Sequence, residues 1–452
     1  MNGWFSATQY ACAGAAAMIA GDLAYRDDRD DGHSGFALTS TPFIASGALA
    51  VASVAAGRRD LAAALALPGI ANAQQDLEAF DFGYIGWNDD PRYSEARIER
   101  EYQGEPWGRP IDGARVAIDE ARFPGMAAGV KFGLNEKLVA NTREVLETVR
   151  AMRDAGTRFI LVDLPAGTVS RVAEEFAGDD LTLFNVAAHD DRLRGAHCQA
   201  NLLHTIPSDA MRNDALAQYL VSRQWDDVLL LVGPERADKV VAKSFQRSAK
   251  RFGLNIVGTR DFVLGNNPRE RDRNNPKLLT SGVDYDAVYI ADTQSEFARN
   301  ANFAIQKPRP VVGSAGLVAQ AWHWAWVRHG ARQLNNRLEK KADRHMTGYD
   351  WAAWVAVKSI VEAVQRTEST DYAKLAAYVR GDEINLDGFK GYRMGFRDWD
   401  GQLRQPMLLG TGNWVVARAP LDGFLHPDNY LDTLGFDPRE SACRLANEKK
   451  GS

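Results

Sequence analysis

The chain has few cysteines and no large excess of charge of either sign. Three cysteines occur in 452 residues, and none forms the C-x-x-C pair of zinc or redox sites. Basic residues number 54 and acidic residues 59, which gives a formal net charge of −5. This balance argues against a nucleic-acid-binding protein, which would normally carry a basic excess or stripe. A disulfide-dense miniprotein is excluded as well.

Motifs of common cofactor and catalytic sites are also absent. No G-x-G-x-x-G opens the first predicted helix, and neither a P-loop nor a G-x-S-x-G elbow occurs. His189, His197 and His204 lie near Cys198, but their spacing fits no standard zinc pattern. Loop histidines bonded to the backbone are the simpler interpretation. We therefore predict no catalytic residue, no metal and no required cofactor.

Residues 1–73 differ from the rest of the chain. The pair Arg58-Arg59, the apolar run Leu61–Ile70 and the triplet Ala71-Asn72-Ala73 follow one another in the order of a signal peptide. We predict export to the periplasm with cleavage near Ala73, by the general or the twin-arginine pathway. Because this signal is internal, translation could begin near Val51. The alternative is a folded pair of N-terminal helices.

Removal of 1–73 leaves Cys198 and Cys443 as the remaining cysteines. An even pair in an oxidising compartment favours one disulfide. Two free buried thiols are the alternative.

Short apolar runs alternate with helical patterns along the remaining chain. Val145, Val149 and Met152, for example, fall on one stripe of a predicted helix. Such alternation is typical of βαβ units and parallel sheets. The apolar runs that predict strands are 82–87, 158–162, 181–186, 227–232 and 285–290.

This alternation occurs twice, near 80–200 and near 205–315. We therefore predict an α/β fold of two doubly wound parallel-sheet lobes with a ligand cleft between them. The first lobe is predicted to comprise 74–205 and the second 206–315, each completed by part of 316–452.

Aromatic and charged residues near the predicted strand ends are the candidate ligand contacts. Flat indole rings suit a planar conjugated ligand, although core packing is the alternative for each tryptophan. Arginines hold carboxylates through paired hydrogen bonds, although a surface charge is the alternative for each. The candidates for stacking are Trp87, Trp324 and Trp351, those for carboxylate binding are Arg92, Arg194 and Arg236, and those for polar contacts are Asp163, His204, Asp292 and Ser314.

Three segments resemble type I periplasmic solute-binding proteins, the receptors of branched-chain amino acid ABC transporters. They are Phe82-Gly83-Tyr84-Ile85-Gly86, the stretch 112–118, and the stretch 198–205 that precedes Ser208. The resemblance covers about 76–440. It implies a two-lobed, non-enzymatic receptor that works as a monomer with an ABC transporter permease.

Further segments resemble a narrower subfamily, the binding proteins linked to pyrroloquinoline quinone-dependent alcohol dehydrogenase systems. These segments are 90–93, 162–166, 193–198, 402–406 and 432–437. This resemblance implies pyrroloquinoline quinone, a flat tricarboxylate quinone, as the ligand, and the quinoprotein alcohol dehydrogenase as a further partner. Positions 164–167 and 186–189 lack the serine and threonine pair with which amino-acid receptors hold their ligand.

Three alternatives stay open. The chain could be a receptor for another small solute, such as an amino acid or an alcohol-derived acid. It could be a periplasmic enzyme or redox accessory of the dehydrogenase. It could also be a chaperone that delivers the cofactor without a transporter.

Overall fold

A computed structural model describes residues 77–94, 108–265 and 267–443, together with residue 445. The chain divides into two units, Met1–Gln74 and Gln75–Ser452, and the architecture below belongs to the second. The predicted signal peptide and N-terminal extension lie outside the described residues. No helix in the described part of the chain is long and apolar enough to cross a membrane.

Five parallel strands form the first sheet, in the spatial order β2-β1-β3-β4-β5. Both faces of such a sheet are covered by helices, so its central strands are apolar along their whole length. Every residue of Phe159–Asp163 is buried accordingly. The strands are β1 (Glu78–Trp87), β2 (Val130–Val139), β3 (Phe159–Asp163), β4 (Thr182–Asn185) and β5 (Leu202–His204).

Four parallel strands form the second sheet, in the order β7-β6-β8-β9. The chain passes from the first sheet to the second through 205–208, directly after β5. The strands are β6 (Asp227–Val232), β7 (Asn255–Asp261), β8 (Ala287–Ala291) and β9 (Val311–Gly313).

Helices cover both faces of each sheet. Asn141 caps one helix through the backbone N–H of Glu144, and that helix buries the predicted stripe of Val145, Val149 and Met152. The helices are α1 (Ile111–Glu120), α2 (Arg122–Ala127), α3 (Thr142–Asp154), α4 (Ala166–Glu175), α5 (Asp209–Ser222), α6 (Arg236–Phe252), α7 (Pro276–Leu279), α8 (Ala298–Ala301), α9 (Ala331–Ala342), α10 (Gly348–Thr367) and α11 (Tyr372–Arg380). Short 3-10 helices occupy Pro91–Tyr93, Asp191–Arg194, Pro268–Asn274 and Tyr430–Thr433.

The C-terminal third of the chain joins both lobes. An antiparallel sheet of β10 (Val318–Gln320), β13 (Met407–Thr411) and β14 (Trp414–Ala419) contributes Leu408 to the core of the first lobe and Leu409 to that of the second. The two-residue strands β11 (Leu386–Asp387) and β12 (Arg393–Met394) pair nearby. These elements confirm the predicted α/β fold with two parallel sheets.

Candidate functional site

The carboxyl ends of the parallel strands mark where a ligand of such a fold binds. β1 ends at Trp87 and β3 at Asp163 in the first lobe. In the second lobe, β8 ends at Ala291, immediately before Asp292. The predicted residues Trp87, Asp163 and Asp292 therefore lie at the strand ends on which the cleft prediction depends.

A buried carboxylate organises the first lobe's edge. Asp163 is fully buried and accepts hydrogen bonds from Tyr84 Oη at 2.8 Å, Tyr93 Oη at 3.0 Å and Arg92 Nη2 at 2.8 Å. Burial, followed by the negative charge of Asp163, raises the pKa of Tyr84 and of Tyr93 well above the ordinary 10.0. Both phenols therefore keep their protons and donate them to the carboxylate. Sequence reasoning found Arg92 and Asp163 but missed both tyrosines.

Arg92 is held in place rather than free. It follows Asp90, which caps the short helix Pro91–Tyr93 and accepts from Arg92 Nη2 at 2.6 Å. The same nitrogen reaches Asp163, and 23% of the Arg92 side chain remains exposed. Two carboxylates thus already share this guanidinium, which leaves little of its charge for a ligand.

Arg109, a second arginine at this edge, was not predicted. Its Nη2 donates to Trp87 O at 2.7 Å and to Asn88 O at 2.9 Å, and its Cζ lies 4.6 Å from the centre of the Tyr93 ring. Its Nη1 is buried 3.9 Å from Asp163 Oδ2 and has no hydrogen-bond partner among the residues that the structure describes. The residue fixes the loop after β1 against β3. No sequence signal distinguished it from a surface arginine.

Trp87 lies at the end of β1, as expected. Its ring is partly buried against the apolar cluster between β1, α3 and α4, and its buried Nε1 has no hydrogen-bond partner in the described part of the chain. An indole in this position keeps a partly exposed face beside the cleft edge.

The second lobe places Asp292 and Ser314 together. The Asp292 backbone N–H donates to Ser314 Oγ at 2.9 Å. The Asp292 carboxylate accepts from the backbone N–H groups of Phe297 and Ala298 at 2.8 and 2.9 Å. Its carboxylate therefore orders the loop after β8. Arg236 is exposed at the first position of α6 and makes no ion pair with any residue that the structure describes.

His189 and Tyr349 form a further polar pair in the first lobe. The sequence indicated His189 as a loop histidine bonded to the backbone, whereas Tyr349 was missed. His189 follows β4, with Nδ1 at 2.6 Å from Pro207 O and Nε2 at 3.2 Å from Tyr349 Oη. Burial, and then the positive charge of Arg212, lowers the pKa of His189 well below 6.5. The neutral ring therefore donates from Nδ1 to Pro207 and accepts at Nε2 from Tyr349.

Two of the predicted polar contacts lie inside the first lobe instead. Arg194 is 1% exposed and donates to Gln402 Oε1 at 2.9 Å and to Ala188 O and Ile206 O at 2.8 Å. His204 is also buried, with Nδ1 at 3.0 Å from Asn185 Nδ2. The predictions that these two residues contact a ligand were wrong, because internal partners use them to join separate loops.

The predicted tryptophans divide between core and edge. Trp351 is fully buried, stacks on Trp322 and donates from Nε1 to Gly388 O at 3.1 Å. It belongs to the core of the first lobe, so the prediction that it stacks on a ligand was wrong. Trp324 is partly exposed, but one face of its ring already stacks on His345, with centroids 4.2 Å apart.

Cys198 and Cys443 are joined in a disulfide, with their Cα atoms 5.7 Å apart. The bridge fastens the end of the described C-terminal segment to the loop before β5. No group of three or more histidine, cysteine, aspartate or glutamate side chains suited to a metal occurs among the residues described.

A groove of about 870 Å³ lies outside the cleft, between α1, α9 and α10. Several of its charged side chains pair with one another, as Arg337 does with Glu120 at 2.8 Å and Lys341 with Asp119 at 2.7 Å. Trp354, which lines it, is fully buried, whereas Phe123 is exposed. We place the candidate site at the strand ends because ligands of open parallel sheets bind there.

Comparisons with known proteins identify the fold. No family model and no curated protein matches the chain. Its structure is similar to a branched chain amino acid ABC transporter periplasmic ligand-binding protein from Burkholderia xenovorans LB400, with 16% identity, a TM-score of 0.63, and coverage of 81% of this chain and 99% of the other.

Two further solved structures carry ligands. An ABC transporter substrate-binding protein from Desulfitobacterium hafniense, in complex with Leu, has 19% identity, a TM-score of 0.58, and coverage of 75% of this chain and 99% of the other. A solute binding protein from R. palustris, in complex with benzoate, has 10% identity, a TM-score of 0.58, and coverage of 81% and 99%. The chain therefore has the type I periplasmic binding protein fold.

Proposed function

We propose that the chain is the solute-binding component of an ABC transporter, and that it holds one small solute between its lobes. The observation that carries this proposal is the ordered edge around Asp163, where Tyr84, Tyr93, Arg92 and Trp87 meet at the carboxyl ends of β1 and β3. A fold of this kind closes on its ligand by hinge motion. The proposed role is binding, without chemical turnover.

Pyrroloquinoline quinone is the ligand that the sequence resemblance proposes. Trp87 supports it, because its indole lies at the edge of the first lobe. Arg92 lies at the same edge, but Asp90 and Asp163 already share its charge. Fewer residues support this ligand than the sequence predicted, because Trp351 and Arg194 are buried and hydrogen-bonded inside the first lobe. Arg236 and Trp324 stay as predicted contacts.

A small carboxylate such as an amino acid is the second candidate. It is favoured by the two solved structures whose ligands are leucine and benzoate. Both candidates assign the same cleft and differ only in the solute.

The proposed setting follows from the same fold. We expect a monomer in the periplasm that passes its solute to a membrane permease, with the quinoprotein alcohol dehydrogenase as a further proposed partner. A redox accessory or a cofactor chaperone would bind the quinone equally well, but it would need the dehydrogenase and not the permease.

Calorimetric titration of the full chain with pyrroloquinoline quinone, L-leucine and benzoate tests the proposal. Saturable one-to-one binding of any of these supports a receptor, and the tightest binder identifies the solute class. Trp87→Ala should weaken binding, whereas Trp414→Ala should not, because Trp414 is 71% exposed on β14. Absence of binding across these probes and a wider panel of small solutes would overturn the receptor function.

A further inference from the structure

Arg212 lies where the two lobes meet, although sequence reasoning did not select it. It is in the first turn of α5, which Ser208 caps through the Met211 backbone N–H at 3.1 Å. Because α5 leads into β6 and shares the core of the second lobe with it, the chain reverses between them, which places this first turn near the carboxyl end of β6. His189 of the first lobe is close by, since its backbone carbonyl accepts from Asp209 N at 2.8 Å.

The guanidinium of Arg212 is only partly used by the protein. Its Nε donates to Ala319 O at 3.1 Å, and its Nη1 reaches Asp209 Oδ1 at 3.4 Å. The second contact is long, since charged pairs of this kind normally span about 2.7–2.9 Å. Its Nη2 has no hydrogen-bond partner among the described residues, and 29% of the side chain is exposed. Both N–H groups of Nη2 therefore remain unused by the described residues.

Neighbouring groups leave the charge of Arg212 largely uncompensated. Burial, and then the charge of Asp191, raises the pKa of Asp209 to about 7, so this carboxyl is only partly ionised near neutral pH. Asp191 is itself occupied by the Ala210 backbone N–H and by Ser244 Oγ, both at 2.8 Å. The buried His189 ring is neutral, as described above. Among the described residues, the carboxylate paired with this guanidinium is therefore Asp209, through a long contact of 3.4 Å and with only part of its charge.

We infer that Arg212 binds a carboxylate of the solute, which makes an anionic carboxylate the substrate class of this cleft. This inference rests on the proposed receptor function. An arginine suits the role because its planar guanidinium can donate two parallel hydrogen bonds to one carboxylate. Its position beside the crossing 205–208 places the carboxylate at the floor of the cleft, where the lobes are joined. Arg92, by contrast, is already neutralised by Asp90 and Asp163.

The test compares the wild-type chain with Arg212→Gln and Arg212→Lys. The control is Arg223→Gln, because Arg223 is exposed at the opposite end of α5. Each protein is titrated with pyrroloquinoline quinone, L-leucine and benzoate, and with leucinamide and benzamide as uncharged-carboxyl analogues. Arg212→Gln should bind the carboxylate about 10- to 100-fold more weakly, as expected for loss of hydrogen bonds between charged groups. Arg212→Lys should recover part of that loss.

The ratio of carboxylate affinity to amide affinity distinguishes the loss of a carboxylate contact from a general loss of folded protein. Under the inference, Arg212→Gln lowers this ratio toward one, and Arg223→Gln leaves it at the wild-type value. An unchanged ratio in Arg212→Gln would overturn the role of Arg212 while the receptor function stands. If the wild-type chain binds only amides or sugars from a panel of small solutes, the carboxylate class is overturned while the receptor function stands. Binding of nothing in that panel would overturn both.

Discussion

Asp209 should make the free energy of unfolding fall as pH rises, because its pKa is higher in the folded chain than in the unfolded chain. Its carboxyl is buried beside Asp191 at the start of α5, and the pKa rises from 3.8 to about 7, first through burial and then through Asp191. Asp190 also raises it, while Arg212 and Arg194 lower it. The folded chain therefore holds a proton that the unfolded chain releases.

The sign of the effect follows from proton linkage. Where the folded state binds more protons than the unfolded state, the free energy of unfolding falls as pH rises. The loss begins near 3.8, the ordinary pKa of the unfolded chain, and is complete above about 7. At about 1.4 kcal/mol per pKa unit, the interval between pH 5 and pH 8 should remove about 3 kcal/mol.

Asp209→Asn tests this reasoning, because asparagine has a similar shape and does not titrate. Chemical denaturation followed by tryptophan fluorescence at pH 5 and pH 8 gives the free energy of unfolding of each protein. The variant should gain about 3 kcal/mol relative to the wild type between these two pH values. Asp226→Asn is the matched control, since Asp226 is exposed and makes no side-chain hydrogen bond within the described part of the chain. A variant that runs parallel to the wild type across this pH range would refute the assignment.

Three other changes have defined outcomes. Replacing Cys198 and Cys443 by serine should lower the free energy of unfolding by about 2–5 kcal/mol and therefore the melting temperature. The same melting temperature in the serine variant and the oxidised wild type would contradict the disulfide. Trp351→Phe should lower stability, because the Nε1 hydrogen bond to the backbone and part of the ring contact are lost. Solute affinity measured by calorimetry should not change. Weaker solute binding by a variant as stable as the wild type would show that Trp351 contacts the solute. Asp163→Asn should lower the free energy of unfolding in urea by about 2–3 kcal/mol, because Arg92 and two tyrosine hydroxyls lose an ionised acceptor. A decrease below about 0.5 kcal/mol would refute the role of Asp163 in ordering this edge.

Much of the fold could be predicted because the buried strands of a parallel sheet are visible in the sequence as short apolar runs. The run 158–162 became the buried strand Phe159–Asp163, and the predicted stripe of Val145, Val149 and Met152 became the buried face of the helix Thr142–Asp154. Each prediction rests on local periodicity, which one element determines by itself.

The candidate site was harder to predict because it depends on long-range partners. Arg194 and Gln402 are far apart in the chain, and nothing in the sequence around Arg194 indicates that this amide and three backbone carbonyls surround it. Trp351 looked free for stacking until Trp322 and the carbonyl of Gly388 were placed beside it.

Two of the residues missed had weak local signals. Tyr93 directly follows Arg92 in the loop after β1, where a side chain at the strand end has to face the cleft edge. Arg212 lies four residues after the capping Ser208, so a helix start beside the lobe crossing could have drawn attention to it.

The most direct test is a crystal structure of the full chain grown with whichever solute binds in calorimetry. The receptor function predicts solute density between the carboxyl ends of the two sheets, in contact with residues of both lobes and with its carboxylate at Arg212. Solute density in the outer groove between α1, α9 and α10, with the cleft edges unchanged, would contradict it.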